Sequence, residues 1–357
     1  MLEQLCRLAA SLSDPAARLE LDAESVDWPR LCDLADEHRL AGYLFTRLED
    51  HAARRSLPPA AIARWRQSSV RQWARNRFLL AETSRLAQAF EHHGLDVLHM
   101  KGALMSLRLY GRLDARAISD IDLLVRRPSE VPAAEACLLS CGYRRASRLL
   151  LGQRITRAFT YQLEYWKGEI PVELHWSFQR EVSLRFDLEE IWRRSETMET
   201  GGRTYRVLSC EDTLVAYVVS VPVDLRLGKL RARTLLEIYL LLLQLPDGFD
   251  WDAWLARRAR EGTRRISAAS VSVALALFGT HPRLEALARA LAPFLRESDR
   301  DALLEALRAP EKRSPFRRRL RALRMSEGSL ASALAWWAVS LPARILAHPT
   351  RSRAHLF

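Results

Sequence analysis

Apolar residues in the first part of the chain have the spacing of helices. Apolar side chains recur at helical intervals from Leu31 to Leu48 and again from Trp65 to Leu80. The pair Pro58-Pro59 predicts a break between these segments. The pattern therefore predicts an N-terminal helical region over residues 1–90.

Short apolar runs replace this pattern after Gly94, and such runs predict buried strands. The runs are Asp96–Met100, 118–125, Thr160–Trp166 and Ile170–Trp176. Helices are predicted between them at Ala103–Tyr110 and Val131–Cys141, and the Gly201-Gly202 turn predicts a β-hairpin. Strands that alternate with helices indicate an α/β layer with a mixed sheet over residues 91–208.

The helical pattern returns after residue 208. Ser209 is suited to cap the helix that follows it, and Asp250 begins another helical segment. The predicted fold is therefore α+β. It has a core with a small mixed β-sheet over residues 91–208, flanked by the helical region 1–90 and by a C-terminal helical region with a basic tail over residues 209–357.

The net charge of +12 adds little information about partners. It comes almost entirely from arginine, since the lysines are Lys101, Lys167, Lys229 and Lys312. A GC-rich genome also produces such an arginine-rich and alanine-rich composition, so the charge allows a nucleic-acid partner without favouring one. The charge does suit a substrate that carries phosphates.

The cysteines and the C-terminal tail give two further expectations. The five cysteines lack a paired metal-binding spacing, and the first segment has no continuous apolar stretch, so we predict a cytoplasmic protein with reduced thiols. Arginines between Arg313 and Arg324 precede the apolar segment Leu330–Leu346, which Pro342 interrupts. We interpret the apolar part of this tail as a core helix and the arginines before it as a solvent-exposed segment. We prefer this interpretation to peripheral membrane or RNA contact.

Two carboxylates stand two positions apart in the apolar segment 118–125. Side chains at such positions of a strand point to the same face, so Asp120 and Asp122 should project together while Ile121 and Leu123 face the core. Neighbouring carboxylates repel one another unless a cation neutralises them. We therefore predict that the aspartate pair binds Mg²⁺ or Mn²⁺.

A third carboxylate lies on the later strand Ile170–Trp176. Alternation on this strand places its apolar residues on one face, and Glu173 and His175 on the other. If this strand lies beside the aspartate strand, Glu173 completes a two-metal site, as a metal ligand and as a base toward an acceptor hydroxyl.

The segment before the aspartate strand offers groups that bind phosphates. The Lys101-Gly102 turn and the helix start after it present backbone N–H groups and a positive charge. Arg116 lies in the segment that leads into the aspartate strand. We predict that Lys101, Gly102, Arg116 and His175 bind the nucleotide.

At these residues the sequence resembles a bacterial family described as uncharacterised nucleotidyltransferase, within the DNA polymerase β-like superfamily. Four segments carry the resemblance: Leu98–Ala103, Tyr110-Gly111, Arg116–Val125 and Val172–Trp176. It implies a nucleotidyltransferase core with Asp120 and Asp122 as the metal pair and Glu173 as the third acidic residue.

The resemblance also implies a reaction. An acceptor hydroxyl would attack the α-phosphorus of an NTP, with ATP as the expected co-substrate, so that an NMP (AMP by default) is transferred and pyrophosphate leaves. Members of this family resemble companions of peptide-tailoring or surface-polysaccharide genes. This likeness implies a small-molecule or peptide acceptor in natural-product or polysaccharide tailoring.

Other readings of the same residues stay open at this point. The same metals and basic turn would also serve a kinase-like phosphotransferase, and the positive charge allows a toxin-like transferase acting on tRNA. A protein of another class would bind RNA or an acidic partner without catalysis and would keep a vestigial acidic site. The sequence leaves the oligomeric state open.

Overall fold

The computed structural model describes residues 1–12, 25–146, 160–178 and 184–308, and the single positions Ala322 and Met325. The predicted basic tail with the apolar segment Leu330–Leu346 lies outside the described residues. Within the described ranges, no helix is long and apolar enough to cross a lipid bilayer.

Before the sheet, the described chain forms four helices. They are α1 (Leu2–Ser11), α2 (Trp28–Glu37), α3 (Ala41–Leu48) and α4 (Pro59–His92). The carboxylate of Asp27 caps α2 by accepting the N–H of Arg30 at 3.1 Å, and a proline lies in the first turn of both α2 and α4. The helical N-terminal region and its break at Pro58-Pro59 are confirmed.

A seven-stranded mixed sheet follows. Its strands are β1 (Val97–His99), β2 (Ile121–Val125), β3 (Arg144–Arg145), β4 (Gln162–Lys167), β5 (Ile170–His175), β6 (Glu196–Thr200) and β7 (Arg203–Val207). Their order across the sheet is β3-β4-β5-β2-β1-β7-β6. The pairs β2–β5 and β1–β7 are parallel and the other neighbours are antiparallel. The predicted mixed sheet and hairpin are confirmed. The two-residue strand β3 was not predicted.

Helices connect these strands and continue after them. Those within the sheet region are α5 (Gly102–Tyr110), α6 (Val131–Ser140) and α7 (Leu188–Arg194). Those after it are α8 (Cys210–Leu227), α9 (Ala232–Gln244), α10 (Trp251–Glu261), α11 (Arg264–Phe278), α12 (Glu285–Leu291) and α13 (Glu297–Arg308). The predicted cap at Ser209 and the predicted helix start at Asp250 are confirmed, because both side chains accept backbone N–H groups at the starts of α8 and α10. The α+β fold is therefore confirmed.

Alternation along β2 and β5 divides their side chains between the two faces of the sheet. Ile121 and Leu123 of β2 are buried in the same hydrophobic cluster as Val172 and Leu174 of β5. The intervening positions point to the opposite face, where Leu124 belongs to a different cluster. Two apolar clusters on the two faces therefore fix the register of the strands, and with it the positions of their polar side chains.

The largest hydrophobic core joins helices from both ends of the chain. Its buried members include Leu5 of α1, Leu31 of α2 and Leu235 of α9. A polar contact accompanies this packing: Nδ1 of His38, just after α2, accepts the N–H of Ala232 at 3.2 Å. The helical regions before and after the sheet thus pack against each other. The division of the chain at residues 90 and 208 remains a prediction.

The buried His38 makes stability depend on pH. Burial, followed by the charges of Arg231 and Arg30, lowers the pKa of His38 to about 4. The unfolded chain takes up this proton near pH 6.5, so the folded state loses stability as the pH falls from about 6.5 to 4. We expect this residue to contribute on the order of 3 kcal/mol to the loss. Urea unfolding at neutral pH and at about pH 4.5 measures it.

The variant His38→Asn separates this effect from that of other acid-sensitive groups. The asparagine oxygen can still accept the N–H of Ala232 but does not titrate. Burial also lowers the pKa of His99 to about 4, so His99 keeps its share of the pH dependence in the variant. An unchanged pH dependence in His38→Asn would contradict the assignment.

Candidate metal and nucleotide site

The parallel pairing of β2 with β5 brings Asp122 and Glu173 together. The two residues are direct partners in the strand register, and His175 lies two residues further along β5. Nε2 of His175 is 3.2 Å from Oδ1 of Asp122 and 3.3 Å from Oε2 of Glu173. Asp122 and His175 are buried, whereas the side chain of Glu173 is 26% exposed. The cluster therefore reaches solvent through Glu173.

The electrostatics of this cluster favour a bound positive charge. Burial opposes protonation of His175, but hydrogen bonds to Asp122 and Glu173 raise its pKa to about 9. Burial also favours the neutral form of Asp122, yet the hydrogen bond and charge of His175 outweigh it and lower the pKa of that carboxyl. The two carboxylates thus both contact Nε2 of His175 and favour its protonated form.

These residues also fit a divalent cation. Asp122, Glu173 and His175 each offer one ligand atom, and these atoms lie within 4.8 Å of one another. Carboxylate oxygens and imidazole nitrogens are common ligands of divalent cations in proteins. Because a metal ligand must be deprotonated, a bound cation would replace the proton of His175. The role of His175 in binding the nucleotide stays a prediction.

Asp120 lies immediately before β2, whereas the predicted strand began at residue 118. It is half-buried. Burial raises its pKa to about 7, with further contributions from Asp122 and Glu173. Asp120 is therefore close enough to both carboxylates for their charges to interact, although the described residues whose ligand atoms lie within 4.8 Å of one another are Asp122, Glu173 and His175.

The Lys101-Gly102 turn connects β1 to α5 beside the acidic group. Gly102 has a φ of +73°, a left-handed conformation that favours glycine, and it begins α5. The N–H of Met100 donates to the carbonyl oxygen of Asp122 at 3.1 Å, and the charge of Lys101 favours the ionised Asp122 side chain. Nζ of Lys101 is 5.2 Å from the ring centroid of Tyr217. The turn therefore places a cation and a helix start next to the carboxylates.

Arg116, in the loop between α5 and β2, has a buried guanidinium. Its Nε is 2.8 Å from Oε1 of Glu237 on α9, and its Nη2 donates to the hydroxyl of Tyr217 on α8 at 2.9 Å. Burial disfavours the charge on Glu237, but Arg116 and Arg233 outweigh burial and lower its pKa. The guanidinium thus holds the loop against α8 and α9, and the predicted phosphate contact of Arg116 remains a prediction.

Other side chains hold this loop by binding its backbone carbonyls, and no sequence motif marks them. The donors are Arg75 and Asn76 of α4 and Arg233 of α9, which bind the carbonyl oxygens of Ser119, Arg116 and Ala117 respectively. The donors are 44, 40 and 116 positions from their acceptors. No short motif can mark residues at such separations.

The site lies within a range of the chain that matches a known family. A family model described as uncharacterised nucleotidyltransferase matches residues 24–279, which contain every predicted site residue. Comparison with the curated proteins and with the solved structures finds no match. Because the family model covers more than half of the chain, the protein belongs to this family of nucleotidyltransferases.

Proposed function

We propose that this protein is a metal-dependent enzyme that transfers an NMP, AMP by default, from an NTP to a hydroxyl group of a small-molecule or peptide acceptor. The observation that carries the proposal is the in-register pairing of Asp122 with Glu173, next to Asp120. Membership of the family supports the general reaction class.

Asp120, Asp122 and Glu173 would hold the divalent cation, Mg²⁺ or Mn²⁺, with His175 beside two of them. When bound, such an ion neutralises charge on the phosphates of the substrate. The raised pKa of Asp120, about 7, supports this assignment, because carboxylates crowded by burial and by one another favour a positive partner.

In the proposed reaction the acceptor oxygen forms a bond to the α-phosphorus, and the bond from that phosphorus to the oxygen bridging to the β-phosphate breaks. The electron pair of the broken bond leaves with pyrophosphate. The proton of the hydroxyl passes to Glu173, whose carboxylate reaches solvent. Lys101 and the start of α5 at Gly102 would bind the phosphates of the nucleotide.

We also propose that the reaction takes place in the cytoplasm, where NTPs and Mg²⁺ are abundant. The state of the thiols supports this compartment. All five cysteines are free, and Cys6, Cys32 and Cys137 are buried.

The position of the label on the NTP distinguishes nucleotidyl transfer from phosphoryl transfer. With ATP labelled on the α-phosphate, Mg²⁺ and a cell extract as the source of acceptor, we expect label to appear on an acceptor together with free pyrophosphate. The Asp122→Asn variant should give no label. Repeating the incubation with the other NTPs identifies the preferred base.

A parallel incubation with ATP labelled on the γ-phosphate tests the kinase-like alternative. Transfer of the γ-label to an acceptor would show that the enzyme catalyses phosphoryl transfer and would contradict the proposed NMP transfer. Absence of label with any NTP, from protein shown to be folded by circular dichroism and thermal unfolding, would overturn the catalytic reading.

A further inference from the structure

A group of cations lies outside the motifs on which the proposed reaction rests. It consists of Arg39, Lys229, Arg231 and Arg233, and we call it the cation cluster. Arg39 follows α2, Lys229 and Arg231 stand between α8 and α9, and Arg233 belongs to the first turn of α9. The cluster thus draws its members from the helical parts of the chain on both sides of the sheet.

Two hydrogen bonds place members of the cation cluster beside the loop that leads to the acidic residues. The N–H of Ala232 donates to Nδ1 of His38 at 3.2 Å, so Arg39 lies beside the first turn of α9. The guanidinium of Arg233 donates to the carbonyl oxygen of Ala117, in the loop between α5 and β2 that leads to the acidic residues. The cation cluster therefore borders that loop.

Arg39 interacts electrostatically with the other cations of the cluster and with the acidic residues. Its side chain reaches solvent, but partial burial lowers its pKa, and the neighbouring charges of Arg233 and Arg231 lower it further. The carboxylate of Asp120 acts in the opposite direction and favours the charged guanidinium. Because such interactions weaken rapidly with distance, Arg39 lies near the other cations and near the acidic group at the same time.

Lys229 also interacts with both the cations and the acidic residues. Partial burial lowers its pKa, Asp224 opposes this effect, and Arg39 adds to it. Glu173 of the proposed metal site also favours the charged ammonium. Lys229 is therefore close enough to Glu173 for their charges to interact.

Two carboxylates lie beside these cations. Burial raises the pKa of Asp224 to about 6, whereas the charges of Lys101, Arg233 and Lys229 favour its ionised form. Oε1 of Glu237 is 2.8 Å from Nε of Arg116 and 3.7 Å from Nε of Arg233, so one carboxylate serves two guanidiniums. A group of four cations beside a site that handles phosphates suits an anionic ligand.

Arg39 follows the end of α2 and has the conformation of a helix terminus. Its φ of +58° lies in the left-handed region, and the N–H of Leu40 donates to the carbonyl oxygen of Ala35 at 2.7 Å. Arg39 and Lys229 are exposed, whereas Arg231 and Arg233 are half-buried. The end of α2 thus presents the charge of Arg39 where an anionic ligand can reach it.

We propose that the cation cluster binds the β- and γ-phosphates of the NTP and the pyrophosphate formed from them. This inference rests on the proposed nucleotidyl transfer and adds the residues that hold the leaving group. As the bond to the α-phosphorus breaks, negative charge develops on the departing oxygen of the β-phosphate, and fixed guanidiniums stabilise that charge. An NMP lacks these phosphates and would gain nothing from the cluster.

Inorganic pyrophosphate is the direct probe of this site. We expect the wild-type protein to bind pyrophosphate and Mn²⁺-ATP, as measured by calorimetry. The variants Arg39→Ala and Lys229→Ala should each weaken both affinities by about tenfold, the usual effect of losing one charge-assisted contact. They should leave the affinity for AMP and the stabilisation by Mn²⁺ unchanged. Arg39→Lys should restore part of the pyrophosphate affinity because it keeps the charge.

The matched control is Arg289→Ala, which removes an exposed arginine from α12 and should leave every affinity unchanged. Wild-type affinities for pyrophosphate and ATP in folded Arg39→Ala and Lys229→Ala proteins would overturn the inference and leave the proposed function standing. Wild-type protein that binds Mn²⁺ and AMP but not pyrophosphate would also overturn the inference. Wild-type protein that binds neither a divalent cation nor any NTP would overturn the proposed function itself.

Discussion

Replacing Asp122 by asparagine is expected to lower the rate of nucleotide transfer by at least about 10³-fold, equivalent to about 4 kcal/mol of transition-state stabilisation. Asp122 is buried beside His175 and pairs in register with Glu173, so no other carboxylate can take its position. The amide keeps the shape of the side chain but removes the negative charge that would hold a divalent cation.

The same variant should lose its response to metal. Mn²⁺ is expected to raise the melting temperature of the wild-type protein, because a ligand that binds only the folded state stabilises it, and to leave Asp122→Asn unchanged. Asp252→Asn, on the exposed side of α10, is the matched control and should behave like wild type. A folded Asp122→Asn protein with a rate within about tenfold of wild type would contradict the assignment.

The second large effect concerns stability. Arg116→Met is expected to lower the free energy of unfolding by about 3 kcal/mol or more, because it leaves a buried carboxylate without its main partner. The side chain of Glu237 is 0% exposed, and its remaining cation, Arg233, is 3.7 Å away. The melting temperature should fall by about 4 °C or more, as measured by calorimetry.

A double-mutant cycle separates this ion pair from general loss of packing. In Arg116→Met combined with Glu237→Leu neither charge of the pair remains, so the double variant should be more stable than the sum of the single effects predicts. Urea unfolding of all four proteins gives the coupling. A loss of less than about 1 kcal/mol in Arg116→Met would show that the pair contributes little.

Much of the fold could be predicted because local patterns determine it. Alternation along β2 and β5 is enough to identify which side chains face the core, and Ser209 and Asp250 mark helix starts by their own chemistry. The strand β3 has only two residues and shows no alternation, so the sequence gives no sign of it. The strand order is set by packing between distant segments, which local periodicity does not report.

The candidate site was predictable only in part, for the same reason. Asp122 and Glu173 could be assigned to equivalent faces of two strands, but their direct pairing depends on β5 lying parallel to β2. That pairing also puts His175 between the two carboxylates, where it becomes a metal-ligand candidate. Arg116 stands 121 positions from Glu237, and nothing near it in the sequence indicates that its charge is paired inside the protein.

The core shared by the two ends of the chain also has a consequence for synthesis. His38 and its partner Ala232 are separated by 194 positions. At about 5–20 residues per second, a ribosome needs on the order of 10 to 40 s to make the intervening chain. Throughout that interval α1 and α2 can pack against α3 and α4, but they lack their native contacts with the helices that follow the sheet. We therefore expect nascent chains to expose these helices to chaperones until α9 has left the ribosome.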